Sequence, residues 1–291
     1  MEPRQPSQSC SKWWLVFLAV SGLLDIVYGV LVKFASMVWT GYLPARADTP
    51  QRRRRGLTLI LGGIEGPSLF SAAMLKGVLR SGYRGAIVRD NWNAGLPFWR
   101  SIVNLASRKH QERQVGRLVK LIGDYCLESG HGPICIVAQS GGCFIAVRLL
   151  ESLPKQIRIQ TVVMLAASIS PGYDISSAAA RCDGALYSFG SAGDHFFLGI
   201  GTLLCGTSDR EFTPSAGFLG WHRTDDRFVD VRWHPRWIPF GYLGNHTTVC
   251  SSRFVEHVVG PLLRPELAQN RLISANRSRL HHSLTVSTSQ G

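Results

Sequence analysis

Residues 134–142 read Ile-Cys-Ile-Val-Ala-Gln-Ser-Gly-Gly, a continuous apolar run that passes through small residues directly into a helical pattern. Ile134 to Ala138 shows no polar alternation, as expected of a strand covered on both faces. Cys143, Ala146, Val147 and Leu150 then recur at helical spacing. Only a tight turn joins strand to helix in so few residues, and a nucleophile on such a turn projects clear of the sheet. Ser140 occupies that position, and its small neighbours suit a strained backbone approached closely by flanking chains.

Outward from this segment the same grammar repeats. Leu57 to Leu61, Gly85 to Val88, Thr161 to Ala166, Ala185 to Phe189 and Phe228 to Trp233 are further short strand candidates. Val115, Leu118, Val119, Ile122 and Cys126 mark a helix between two of them. Strand and helix alternating at this rhythm predict an α/β fold, a mostly parallel sheet flanked by helices and joined by right-handed crossovers.

Composition fits a globular chain of 291 residues: 45% of residues are apolar and 18% charged, which excludes a wholly disordered chain. The net charge of +13 would suggest a nucleic-acid binder if it lay on the folded domain. It is instead weighted to the ends, with 8 Lys/Arg against 3 Asp/Glu in residues 1–56 and 4 against 1 in residues 264–291. No nucleic-acid partner is expected. Seven cysteines without a CxxC or matched histidine spacing argue against a disulfide framework and a zinc site, so most are expected to be small buried hydrophobes. No P-loop, GxGxxG or metal-ligand cluster is present, and neither cofactor nor metal is expected.

Three regions follow: an N-terminal segment and basic linker (1–56), a catalytic domain (57–263) and a disordered basic tail (264–291). The run Trp13 to Val32 has the length of a membrane-spanning helix, interrupted by Asp25. It is expected to tether the protein to a membrane. The alternatives are a greasy helix docked on the domain, and a signal peptide cut after Ala45-Arg46-Ala47. Lys33, Arg46 and Arg52 after the run outnumber Arg4 and Lys12 before it, which points weakly to a cytoplasmic domain. The linker Ala45 to Arg55 fits anionic headgroups or a solvated charge run equally well.

A serine hydroxyl needs a base to take its proton, and the base needs a carboxylate to orient it. Asp194 ends the loop after the strand Ala185 to Phe189, and His246 lies on a glycine-rich loop after the last strand candidate. Asp183, Asp209 and Asp174 compete for the acid, and His222, His234, His195 and His257 for the base. The order Ser140, Asp194, His246 resembles the α/β-hydrolase family, in which each member sits on a loop at the carboxyl end of the sheet. That resemblance implies a serine esterase or lipase-like activity on a small-molecule or lipid ester. It also implies an oxyanion hole made by the amides of Gly141 and of Ile64 or Gly63. Two residues depart from the family pattern: Ala138 replaces the first glycine of G-x-S-x-G, and Gly62 replaces a histidine of the oxyanion loop. A catalytically silent, membrane-tethered binding module and an acyltransferase with the same triad are the alternatives. Phe196 to Cys205 and the aromatics Trp92, Phe98, Trp99, Trp221, Trp233, Trp237 and Phe240 read either as an acyl pocket or as ordinary packing.

Overall fold

The computed structural model describes residues 47–64, 66, 68–93, 107–129, 132–222 and 225–264, with helical residues 20, 22, 23, 27 and 31 ahead of them. Phe98, Trp99, most of the Trp13 to Val32 run and residues 265–291 lie outside the described residues.

Each apolar run is a strand: β1 (Leu57–Leu61), β2 (Ala86–Asp90), β3 (Ile134–Gln139), β4 (Thr161–Leu165), β5 (Leu186–Gly190) and β6 (Phe228–Arg232). They form one parallel sheet in the order β2-β1-β3-β4-β5-β6. β2 extends past its apolar run, with Arg89 and Asp90 in register with Ile60 and Leu61 of β1, and Asp90 is paired with Arg117 at 2.7 Å. The helices α1 (Leu69–Arg80), α2 (Arg108–Ser129) and α3 (Gly141–Ser152) and an irregular helix over 252–263 cover the sheet.

The period of two along each strand divides the core. Leu57, Leu59, Leu61, Ile134, Ile136 and Ala138 pack with Val115, Leu118, Ile122, Ile145 and Leu149 from α2 and α3. Ile60, Cys135, Val137 and Val163 face the other way, onto Met74, Val78, Val255 and Val259 from α1 and the C-terminal helix. Both faces of the sheet are thus dry, as the unalternated runs imply.

The strand order places the site. The chain leaves β1 toward one edge to build β2, then returns to the other side of β1 to build β3. Loops after β1 and β3 therefore diverge and leave a crevice at the carboxyl ends of these strands. Gly62 to Ile64 follow β1, and Ser140 follows β3.

The expected membrane-spanning helix is not supported. No helix among the described residues is long and apolar enough to cross a membrane. Of the run's described residues Gly22 is buried, and a methyl group there would sit 3.4 Å from His195 Nε2 and from Phe196 Cβ. The basic linker is also partly tied down. Arg52 donates to the carbonyls of Gly85 (2.9 Å) and Tyr83 (3.0 Å), and Arg53 pairs with Asp48 and Glu128. Of the six described cysteines, Cys205 alone is exposed, and all six are free thiols.

Candidate active site

Ser140 is held between β3 and α3 at φ 52° and ψ −125°. A non-glycine residue at positive φ costs about 1 to 3 kcal/mol and persists only where its surroundings enforce it. Here they do so through backbone bonds. The Ser140 amide donates to the Leu165 carbonyl (2.9 Å), and the Ser140 carbonyl accepts from Cys143 (3.0 Å). Ala138, the first departure from the family pattern, is fully buried in the α2/α3 side of the core, which accommodates its methyl group.

Gly142 explains the small residues after the serine. A β-carbon there would lie 2.3 Å from the Gly62 carbonyl oxygen and 2.7 Å from that of Leu61, both main-chain atoms. The start of α3 is thereby pressed against the end of β1. Gly142→Ala is expected to destabilise the fold by about 2 to 3 kcal/mol, since neither backbone can yield without disturbing the sheet. Chemical denaturation of the variant measures this.

Pressing α3 against β1 brings the two sets of candidate oxyanion donors to one crevice. Gly141 is the first residue of α3, where amides have no partner within the helix and the helix dipole favours negative charge. Among the described residues, the amides of Gly63, Ile64 and Gly141 have no backbone acceptor. The loop after β1 is anchored despite Gly62 replacing a histidine. Trp92 Nε1 donates to the Gly62 carbonyl (2.7 Å), and Asn93 Nδ2 donates to the Ile64 carbonyl (2.9 Å). Trp92 is in turn held at its carbonyl by His110 Nε2 (3.0 Å), from the first turn of α2. Sequence reasoning missed this anchor, because Trp92 lies 30 residues from Gly62 and reads as one more packing aromatic.

Asp194 and His246 meet directly: His246 Nδ1 is 2.6 Å from Asp194 Oδ2, with the aspartate 2% exposed. The second carboxylate oxygen accepts from the Leu198 amide (3.2 Å), so Asp194 also caps the π-helical turn His195–Gly201. The loops carrying the pair are fitted closely. A β-carbon at Gly193 would lie 2.7 Å from the Gly244 carbonyl oxygen. The histidine loop is further held by Trp233 Nε1 on the Tyr242 carbonyl (3.1 Å). Tyr242 beneath it is buried beside Asp194, which pushes its phenol well above the ordinary range through desolvation first and the nearby carboxylate second. Phe197 covers the imidazole at a centroid distance of 4.9 Å.

The competing acids and bases are employed elsewhere. Asp183 pairs with Arg158 before β5, Asp209 accepts from Ser170, and Asp174 accepts from the Ser176 amide. His234 caps a 3-10 turn, His195 Nδ1 lies against the Gly193 carbonyl, and His257 stacks on Phe240. The His222 amide donates to the Pro171 carbonyl. Cys143, one turn into α3, is no rival nucleophile. Burial drives its thiol far above the usual range, and its Sγ donates to the Leu165 carbonyl (3.6 Å).

Ser140 Oγ makes no helix-cap bond, and the group 3.3 Å from His246 Nε2 is the Gln139 side-chain amide nitrogen. With Nδ1–H donated to Asp194, Nε2 carries the lone pair, and Gln139 donates to it. Gln139 Oε1 is buried without a hydrogen-bond partner. This residue, too, was missed: its position on a strand end gives no signal in the sequence. Gln139→Leu removes both the competing donor and the orphaned acceptor. A fivefold or so gain in the rate of serine acylation, with no loss of melting temperature, is expected from one hydrogen bond of ordinary strength. Stopped-flow acylation and a thermal melt measure the two effects.

Of the aromatics between acid and base, Trp237 is core, packed on Phe189, Tyr242 and Phe254. Trp221 packs on Phe228 and donates to Ser188 Oγ (3.0 Å). Phe197, from the Phe196 to Cys205 stretch, packs against His246. No group of three or more His, Cys, Asp or Glu suited to a metal occurs among the described residues.

No family model and no curated protein matches the chain. Among solved structures, a candidate hydrolase of the α/β superfamily from Xanthomonas campestris pv. campestris aligns with 69% of this chain and 97% of its own. The two are 17% identical, with a TM-score of 0.39. A likeness of that extent carries no argument about chemistry.

Proposed function

We propose that this protein is a serine hydrolase that cleaves a carboxylic ester through an acyl-enzyme. The observation that carries the reading is the buried 2.6 Å contact between His246 and Asp194, with Gln139 at 3.3 Å from His246 Nε2 and the next residue, Ser140, held at positive φ on a strand-to-helix turn. Ser140 Oγ attacks the carbonyl carbon and gives its proton to His246 Nε2. The tetrahedral oxyanion is held by the Gly141 amide and that of Ile64 or Gly63. Asp194 keeps the imidazole in the tautomer with Nδ1 protonated and stabilises the imidazolium. The ester C–O bond breaks, the leaving alkoxide takes the proton from His246, and water repeats the sequence in reverse on the acyl-enzyme. An alcohol in place of water makes the same residues an acyltransferase.

A second reading, a catalytically silent binding module, is favoured by the Gln139 contact that occupies His246 Nε2. A panel of p-nitrophenyl esters separates the two. The hydrolase reading expects p-nitrophenol release with a burst equal to the enzyme concentration, and an acyl adduct in the intact mass on acid quench. Absence of turnover across the panel by a folded protein supports the silent module instead.

A further inference from the structure

We infer that the carboxyl end of the sheet, together with the exposed apolar residues Val20, Leu23, Val27 and Leu31, docks on the surface of an anionic lipid bilayer without crossing it. Val20, Leu23, Val27 and Leu31 are all exposed and helical, Leu31 to 61%. Gly22, between Val20 and Leu23, is buried, and a methyl group there would sit 3.4 Å from His195 Nε2 and from Phe196 Cβ. A helix docked on a water-soluble domain ordinarily buries its apolar stripe and turns polar residues outward. This one presents apolar residues outward at each described exposed position.

The domain continues the same surface. Ile200, Leu203, Leu204, Phe212, Ile238 and Leu243 are exposed in the segments that leave the carboxyl ends of β5 and β6, Leu204 to 70% and Phe212 to 71%. Leu219 is exposed later in the β5–β6 segment, and elsewhere among the described residues of the domain the large apolar side chains so exposed are Leu127 and Val229. The apolar crown thus gathers at the end of the sheet that holds Ser140 and His246. Its charge suits anionic headgroups. Arg210 and Arg236 are exposed in the same segments, and Arg108 and Lys109 are exposed in the first turn of α2, which Gln111 ties to the Ser208 carbonyl (3.2 Å). Glu112, Glu211 and Asp226 are the exposed carboxylates among them. Apolar side chains ringed by cations match a bilayer interface, into which an amphipathic face inserts about 5 to 10 Å.

The consequence for substrate rests on the hydrolase reading. Phe197, which covers His246, belongs to the same π-helical turn that Gly22 lies against and ends at the crown. An ester leaving the bilayer at that turn enters beside the base, so the substrate class is a lipid ester rather than a water-soluble one.

The test is flotation of the purified full chain with vesicles of phosphatidylcholine alone and of phosphatidylcholine mixed with phosphatidylglycerol. Expected is flotation with the anionic vesicles, reduced by salt and by omission of phosphatidylglycerol. Leu203→Asp with Leu204→Asp should weaken it by about tenfold for each leucine lost. Leu127→Asp, at the far end of α2, should float as the parent does. Ser140→Ala should also float as the parent does, which separates this inference from the catalytic one. No flotation of the parent, or equal loss in Leu127→Asp, overturns the docking surface even if ester turnover is intact. So does a parent dimer in sedimentation that the paired leucine substitutions convert to monomer, because a second copy then covers the face.

Discussion

Asp194→Asn is expected to lower kcat on an activated ester by about 10⁴-fold while leaving the protein folded. The reasoning rests on two hydrogen bonds with opposite sensitivities. Asp194 Oδ1 accepts from the Leu198 amide, and Asn can preserve that bond with its carbonyl oxygen. The group then facing His246 Nδ1 at 2.6 Å is an amide NH₂, a donor. Imidazole must answer with a lone pair at Nδ1, which puts its proton on Nε2 and leaves the base unable to accept from Ser140. The variant should therefore lose kcat far more than it loses affinity, and its circular dichroism should match the parent. Steady-state kinetics with a p-nitrophenyl ester measures the ratio. A loss below tenfold would mean that the carboxylate serves the π-helical turn and not the histidine.

Trp92→Ala is expected to cost about 3 to 5 kcal/mol of stability, because a tryptophan that is 1% exposed leaves a cavity its neighbours cannot close. For a domain of this size that lowers the melting temperature by roughly 10 °C. Trp92→Phe isolates the second role. It keeps the ring volume largely in place and removes only the Nε1 bond to the Gly62 carbonyl, a loss of about 1 kcal/mol. The same change frees the loop that carries Gly63 and Ile64, so kcat should fall by about tenfold with KM nearly unchanged, as for a group that acts on the transition state. Equal stability and equal kcat in Trp92→Phe would show that Asn93 and the turn at Gly66 suffice to hold the loop.

The central strands were legible because they are buried on both faces and so read as unbroken apolar runs. Ile134 to Gln139 and Thr161 to Leu165 are buried throughout. The choice of Asp194 and His246 over their rivals rested on their loops after β5 and β6 and on the chain order Ser140, Asp194, His246, and the two side chains meet at 2.6 Å. Contacts between segments distant in the chain were not legible. Trp92 and Gln139 act on main-chain or ring atoms of residues 30 and 107 positions away, and nothing in their own neighbourhoods marks them. The N-terminal run was ambiguous in the sequence, and most of it lies outside the described residues. Length and hydropathy fit both a spanning helix and a helix laid on the domain, and it is Gly22 against Phe196 that favours the second. The basic run at Arg52 and Arg53 read as a linker, whereas backbone carbonyls of Tyr83 and Gly85 and carboxylates of Asp48 and Glu128 fix it to the fold.

The most direct test of the central claim is reaction of the purified protein with a fluorophosphonate, followed by peptide mass mapping and by parallel reactions of Ser140→Ala and His246→Ala. An activated serine predicts one phosphonylated peptide carrying Ser140, no labelling in Ser140→Ala and strongly slowed labelling in His246→Ala. A folded parent that stays unlabelled, or labelling that persists in Ser140→Ala, would contradict the assignment of Ser140 as nucleophile.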